Sequence, residues 1–209
     1  MRLRNEEERY GVVARVLHAT TVVLFGFQLA GITLFRFLEE GPRPGVWAVL
    51  DAHKTAGLLL LGVVLVRLAW RWGNLRPAAP STFEAWDRRA ALWLERGLYA
   101  TFLAMAASGL VIELAGGYTV PFFGVFYLDG LAPWVHPGPV DQGAVVSAAR
   151  KATGLPWLRD VGVALHVAGT FAVVGLVASH VSHVLRHSIG KAAPLSDRMD
   201  PAHLLRRKP

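Results

Sequence analysis

Four of the eight histidines lie within long apolar stretches, and their spacing predicts a shared role. His166 and His180 are fourteen residues apart, which on an α-helix is about 40° short of four full turns. Their side chains therefore project from one helix face, about 21 Å apart along its axis. His18 and His53 lie in two other apolar stretches. Polar residues inside a membrane are costly and usually functional, and neutral imidazole is a common metal ligand, so these histidines indicate a metal site.

The stretches that carry the histidines are long enough to cross a membrane. Residues 16–35 and 161–185 hold no formal charge, and each can cross about 30 Å of hydrocarbon as a helix. Two weaker stretches carry charges near their ends, where long side chains reach the interface. A soluble helical protein is disfavoured because the fourth stretch is apolar around its whole circumference. The sequence predicts an all-α, integral membrane four-helix bundle, with spans at about 11–36, 47–72, 90–115 and 160–186.

Composition excludes several classes of protein. Of the 209 residues, 53% are hydrophobic and 18% are charged, which is too apolar for a disordered chain. The chain has no cysteine, so disulfides, covalent c-type haem and thiolate-bound zinc or iron–sulfur clusters are excluded. The net charge of +7 is spread over separate segments and forms no basic binding motif, so we expect no nucleic-acid partner. The first span is too long for a signal peptide, and no small-residue cleavage site follows it.

The basic residues predict the orientation of the spans, because short cytoplasmic loops are enriched in Lys and Arg. Fourteen basic residues flank the spans on the side of both termini, and six lie on the other side. Both termini are therefore expected in the cytoplasm. We assign residues 1–190 to the membrane domain, 116–157 to a long outer loop and 191–209 to a basic cytoplasmic tail.

This orientation sorts the four histidines into two depths. His18 and His180 fall near the inner surface, and His53 and His166 near the outer one. Two pairs of imidazoles, each joining two helices, are what two bis-histidine b-type haems require, since axial ligands reach the iron from opposite faces. Zinc fits less well because neither pair has a third ligand nearby.

His183 is the alternative to His180 at the inner site. Its side chain is about 100° away from the face that carries His166, so we prefer His180. His187 lies about 31 Å down the axis from His166, at or beyond the inner interface. His136, in the outer loop, and His203, in the tail, are expected in solvent.

Three basic residues are candidates for binding haem propionates. Arg67 follows His53 by fourteen residues, so it faces the core at the inner depth and needs an anion there, for which a haem propionate is preferred over a lipid phosphate. Arg71, one turn further, serves the same propionates or reaches lipid phosphate. Lys54 serves the outer haem or is a plain interfacial lysine.

The connections carry helix breakers and helix-start signals. The first, at 39–45, is a short turn rich in Gly and Pro. In the second, Ser81 and Glu84 have the spacing of a capping box that would start the helix leading into span three. The outer loop is long enough to hold a helix of its own, for which residues 140–153 are the candidate.

Several spaced motifs together point to a known family: Arg9-Tyr10 with His18, His53 to Leu58, Arg67 to Arg71, Gly116 to Gly124, Leu165-His166 and Ser179-His180. In these motifs the sequence resembles the bacterial cytochrome b561 family of four-helix dihaem membrane proteins. This resemblance implies haem ligation by His18, His53, His166 and His180, and a multi-pass protein of the bacterial inner membrane. The chain departs from the family pattern at His187-Ser188, where two adjacent histidines are frequent, and in its longer third loop.

Two haems with both axial positions filled are expected to transfer electrons rather than to bind oxygen or substrate. The first hypothesis is an oxidoreductase that passes single electrons between an outer donor, with superoxide as a candidate, and quinone. The second is a haem-bearing anchor or relay subunit of a dehydrogenase or hydrogenase, docking a redox partner at either surface. The third, a small transporter without haem, predicts a colourless protein.

Overall fold

The computed structural model describes residues 2–39, 46–116, 118, 120–123, 125–128, 156–189 and 198–199. Within these residues the chain forms four long helices and one short hairpin. The helices are α1 (Val12–Glu39), α2 (Val46–Trp72), α3 (Ala85–Gly116) and α4 (Pro156–Arg186), and the strands are β1 (Val120–Phe122) and β2 (Phe126–Leu128).

Each of the four helices is long and apolar enough to cross a membrane, over Val12–Phe37, Ala48–Trp72, Ala85–Gly116 and Trp157–Arg186. The predicted all-α class with four membrane-spanning helices is therefore confirmed. The helices extend beyond the predicted spans, most of all at the start of α3, because charges end an apolar stretch but not a helix. Large apolar side chains such as Phe27, Leu165 and Phe171 are exposed, as expected for a surface that faces lipid.

The start of α3 differs from the sequence prediction. The proposed capping box at Ser81 is wrong, because the helix begins at Ala85 and Ser81 lies in a turn. That turn is closed by the Phe83 N–H, which donates to the Pro80 carbonyl at 3.0 Å. The helix is instead capped at Glu84, whose N–H donates to the Asp87 carboxylate at 3.2 Å.

The chain divides into two compact units, and every helix contributes a segment to each. Unit 1 comprises residues 1–23, 62–102 and 172–209, and unit 2 comprises residues 24–61 and 103–171. Within unit 1 the buried apolar side chains are Val64, Phe83 and Val173. In the same unit, α3 and α4 pack closely, since a Cβ added at Gly97 would meet Leu176 at 3.3 Å.

Unit 2 contains the hairpin and its own small core. The hairpin is antiparallel, with Pro121 opposite Tyr127. The Thr55 hydroxyl of α2 donates to the Pro121 carbonyl at 2.9 Å, which attaches the hairpin to the helix. Phe123, at the turn, has a φ of 53°, a left-handed conformation that is uncommon for a bulky residue. Most of the outer loop, including the helix predicted at 140–153, lies outside the described residues.

Candidate functional site

In unit 1, the structure brings together the two histidines that were predicted to pair near the inner surface. His18 comes from α1 and His180 from α4. Their ring centres are 6.4 Å apart, with an angle of 69° between the ring planes. His183 does not take the place of His180, because its ring packs against Phe83 at 5.6 Å.

In unit 2, the structure likewise brings together the pair predicted for the outer site. His53 comes from α2 and His166 from α4. Their ring centres are also 6.4 Å apart, with an angle of 75° between the planes. Each unit therefore holds one pair of imidazoles from two different helices, as the periodicity of α4 predicts.

The spacing of both pairs fits a single metal between the two rings. A metal–imidazole bond of about 2 Å, plus about 1.2 Å from the nitrogen to the ring centre, puts each ring centre about 3.2 Å from the metal. Two rings on opposite sides of one metal then have centres about 6.4 Å apart, which is the distance in both pairs. The histidines therefore fit the two axial positions of a bis-histidine haem.

The hydrogen bonds of His166 leave the correct nitrogen free for such a metal. Its Nδ1 lies 3.1 Å from the Met105 carbonyl oxygen and 3.0 Å from the Ser108 hydroxyl. Since a carbonyl can only accept, Nδ1 carries the proton and the lone pair is on Nε2. A ligating histidine typically donates its other N–H in this way, which fixes the orientation of the ring. Neither Met105 nor Ser108 was identified from the sequence.

His18 has a different partner. The Arg67 guanidinium, which has only donors, lies with Nη2 3.1 Å from His18 Nδ1. Arg67 also lies over the Tyr99 ring, 5.7 Å from its centre. A neutral His18 that accepts this bond at Nδ1 carries its proton on Nε2. Iron ligation through Nε2 therefore requires the hydrogen bond from Arg67 to Nδ1 to break, so that the proton can move to Nδ1. The predicted propionate contact would give Arg67 a new partner.

Arg71 has an anionic partner within the protein. Its Nη2 lies 3.1 Å from Glu95 Oε2, and its Nε bonds the other carboxylate oxygen. Arg76 binds the same Glu95 at 2.9 Å. Near this network, burial and the Glu95 carboxylate raise the pKa of the Tyr10 hydroxyl above its ordinary value, so Tyr10 stays neutral at physiological pH. A haem contact by Arg71 stays a prediction, and Glu95 is the partner that sequence reasoning missed.

Lys54 is also neutralised inside the protein. Its Nζ lies 2.8 Å from Glu113 Oε2 and 3.9 Å from Asp51 Oδ1. The side chain is 11% exposed, so it is not a plain interfacial lysine. The sequence held a signal for this pair, because Lys54 and Glu113 lie at the ends of spans two and three that share one predicted side. Whether Lys54 contacts a haem stays untested.

The remaining histidines separate into two groups. His183 and His187 lie beside Asp87 in unit 1, apart from the axial pair. His136 and His203, which were expected in solvent, lie outside the described residues.

Comparison with known proteins identifies the family of the chain. The family model for prokaryotic cytochrome b561 matches residues 9–201. Cytochrome b561 homolog 2 of Escherichia coli (strain K12) is 26% identical over 133 residues, which cover 60% of this chain and 66% of that protein. The match thus spans slightly less than two thirds of that relative's length. The chain belongs to the prokaryotic cytochrome b561 family and is a multi-pass bacterial membrane protein, for which the family implies haem b as cofactor.

Proposed function

We propose that this chain is a dihaem cytochrome that transfers single electrons between a donor at the outer surface and quinone in the inner membrane. His53 and His166 would hold one haem, and His18 and His180 the other. The observation that carries this proposal is the equal spacing of two histidine pairs, each 6.4 Å between ring centres.

The side chains around each pair support electron transfer without group chemistry. When bound, each haem supplies an iron that gains or loses one electron. Two histidines per haem would bind the iron and so exclude oxygen or substrate from the metal. Met105 and Ser108 hold the proton of His166 on Nδ1, which keeps its ring aligned.

Superoxide is a candidate for the outer donor, and charge would govern its approach. Lys54 does not offer a free positive charge, since Glu113 is 2.8 Å from its Nζ. Attraction of an anion would therefore depend on basic residues of the outer loop such as Arg150 and Lys151. Replacing both with glutamine should slow the reduction of the haems by superoxide and weaken its dependence on ionic strength. Unchanged kinetics would exclude steering by these residues.

A cavity in unit 2 supports quinone as the other partner. It has a volume of about 540 Å³, within the range of small-molecule sites. Its lining is largely apolar and aromatic, but Asp51 adds a carboxyl group that could pass a proton to the quinone as it is reduced. The other lining residues include Phe27, Ala56, Phe123 and Tyr127. We propose that the quinone ring occupies this cavity. Ala56→Trp should fill it and raise the KM for a short-chain quinone, whereas an unchanged KM would place the quinone elsewhere.

The alternative, a haem-bearing relay subunit of a larger complex, is favoured by the surface of the hairpin. Val125 is 81% exposed and Phe123 is 64% exposed, and all three residues of β2 are exposed and apolar or aromatic. Such a patch marks a contact with lipid or with another protein. Copurification of a soluble dehydrogenase or hydrogenase subunit, with no activity of this chain alone, would favour the alternative over the first proposal.

The decisive experiment is the haem content of detergent-purified protein. We expect two non-covalent protohaems per chain and a reduced-minus-oxidised spectrum of low-spin b-type haem. One haem per chain, or a colourless protein after full haem loading, would contradict the dihaem proposal.

A further inference from the structure

A second group of ligating side chains comes together in unit 1, separate from the axial histidines. It consists of Asp87 in the first turn of α3, His183 near the end of α4, and His187 just after that helix. One ligand atom from each lies within 4.8 Å of the other two. The electron-transfer proposal gives these three residues no role.

The two imidazoles are placed as neighbouring ligands of one metal would be. Their ring centres are 4.8 Å apart. With each centre about 3.2 Å from a metal, this distance corresponds to an angle at the metal of about 100°. That angle lies between the octahedral and tetrahedral values, whereas the axial pairs, at 6.4 Å, have the spacing of opposite ligands.

The surroundings hold the three side chains in place. Phe83, which is 5% exposed, packs its ring 4.3 Å from His187 and 5.6 Å from His183, measured between ring centres. The Asp87 side chain is 4% exposed, and one of its oxygens accepts the Glu84 N–H. Preorganised ligands lose little conformational freedom when a metal binds.

One nitrogen of these histidines has no hydrogen-bond partner among the residues that the structure describes. Within that part of the chain His183 Nε2 is buried and makes no hydrogen bond, although buried polar atoms are nearly always paired. A metal that accepts the Nε2 lone pair would satisfy this atom, whereas its present neighbours do not.

Asp87 already attracts positive charge. Its Oδ1 accepts a bond from Arg186 Nη2 at 2.6 Å and lies 3.1 Å from His187 Nε2. Arg186 is half exposed and lies over the Trp86 ring, 4.3 Å from its centre, so it can leave the carboxylate without being buried alone. A bound cation would therefore take the place of Arg186 on Oδ1.

We propose that Asp87, His183 and His187 form a binding site for one divalent transition-metal ion, with Zn²⁺ as the best-suited member of the class. Two imidazoles and one carboxylate match the ligands that zinc and its neighbours prefer, whereas Mg²⁺ and Ca²⁺ require mostly oxygen. Three protein ligands leave a fourth position for water. Ligation requires His187 to present the Nε2 lone pair, so its ring proton moves to Nδ1.

The test is a calorimetric titration of the haem-loaded protein in detergent with Zn²⁺ alone. We expect one ion per chain, and an affinity that falls at least tenfold in His183→Ala and in His187→Ala. The matched controls are His136→Ala and His203→Ala, which remove histidines from other parts of the sequence and should leave the affinity unchanged. An unchanged haem spectrum establishes that each variant is folded.

The Arg186→Gln variant distinguishes a metal site from an ion-pair cluster, which the histidine variants alone do not. Removing a cation that competes for Asp87 should tighten zinc binding severalfold, while a purely structural role predicts no gain. X-ray absorption at the zinc edge should show two imidazole nitrogens and oxygen ligands. The proposal is overturned if His183→Ala and His187→Ala bind zinc as the unchanged protein does, or if Arg186→Gln binds it more weakly.

Discussion

Replacement of His180 should remove one of two haem environments and leave the other intact. His180 is the partner of His18 at 6.4 Å between ring centres, and the other pair lies in a different compact unit. In His180→Ala the iron nearest His18 keeps at most one protein ligand. The haem content should fall from two towards one per chain, and any haem retained there should change from low to high spin.

His183→Ala is the matched control, because it removes the same side chain three residues further along α4. Its ring contacts Phe83 and His187 rather than His18, so the loss is one of packing, about 1 kcal/mol of stability. Both haems should remain low spin.

Haem extraction with protein quantification measures the haem content per chain. Electron paramagnetic resonance of the oxidised protein measures the spin state of each haem. Added imidazole should restore the low-spin signal in His180→Ala, since it is the size of the ring removed. The reverse pattern, with two low-spin haems in His180→Ala and one in His183→Ala, would refute the assignment of the pair. Loss of both haems in His180→Ala would refute the independence of the two sites.

Three further predictions follow from close contacts and charges. Gly109→Val should disturb only the unit 2 haem signal, because even a Cβ at this position would lie 3.3 Å from His166 Cε1. Such overpacking costs about 1–3 kcal/mol. Gly26→Val is the spectroscopic control, because the position has open space around it. Gly11→Ala should lower the melting temperature and expose the N-terminal segment to trypsin, since its Cβ would lie 2.5 Å from a backbone carbonyl oxygen; unchanged proteolysis would contradict this. Glu95→Gln should cost no more than about 1 kcal/mol in denaturant unfolding, because its ion pairs with two arginines are partly exposed; a much larger loss would indicate a role in holding the haem.

The pairing of the histidines could be predicted from the sequence because it depends on the helical repeat and on the positions of charged residues. Helix rotation fixes the shared face of His166 and His180, and the charges that end each apolar stretch fix the depth of His18 and His53. These inputs need no knowledge of side-chain packing. The structure places the four rings as this reasoning predicts, while the ligation itself stays a prediction.

The partners of the charged side chains could not be predicted from the sequence in this way. Arg71 binds Glu95, and Lys54 binds Glu113. The sequence had instead predicted haem or lipid phosphate for Arg71, and the outer haem or a plain interfacial position for Lys54. Such pairings depend on the rotation and the separation of neighbouring helices to within about one ångström, because charge-assisted bonds are short. The hairpin at 120–128 was also missed, since strands of three residues leave no periodicity to detect.

Helix α3 carries charged residues but none of the four paired histidines, and its role differs from that of the other helices. In the two pairs, α4 supplies one ring to each unit, while α1 and α2 supply one ring each. Helix α3 instead supplies groups that bind the other helices: the Met105 carbonyl to His166, Glu95 to Arg71, and Glu113 to Lys54. A buried cation is tolerated only when it is paired, so Glu113 allows Lys54, which is 11% exposed, to lie next to His53 in α2. Two of the charges that make α3 a weaker membrane span in the sequence, Glu95 and Glu113, are therefore the groups that pair with basic residues of α2.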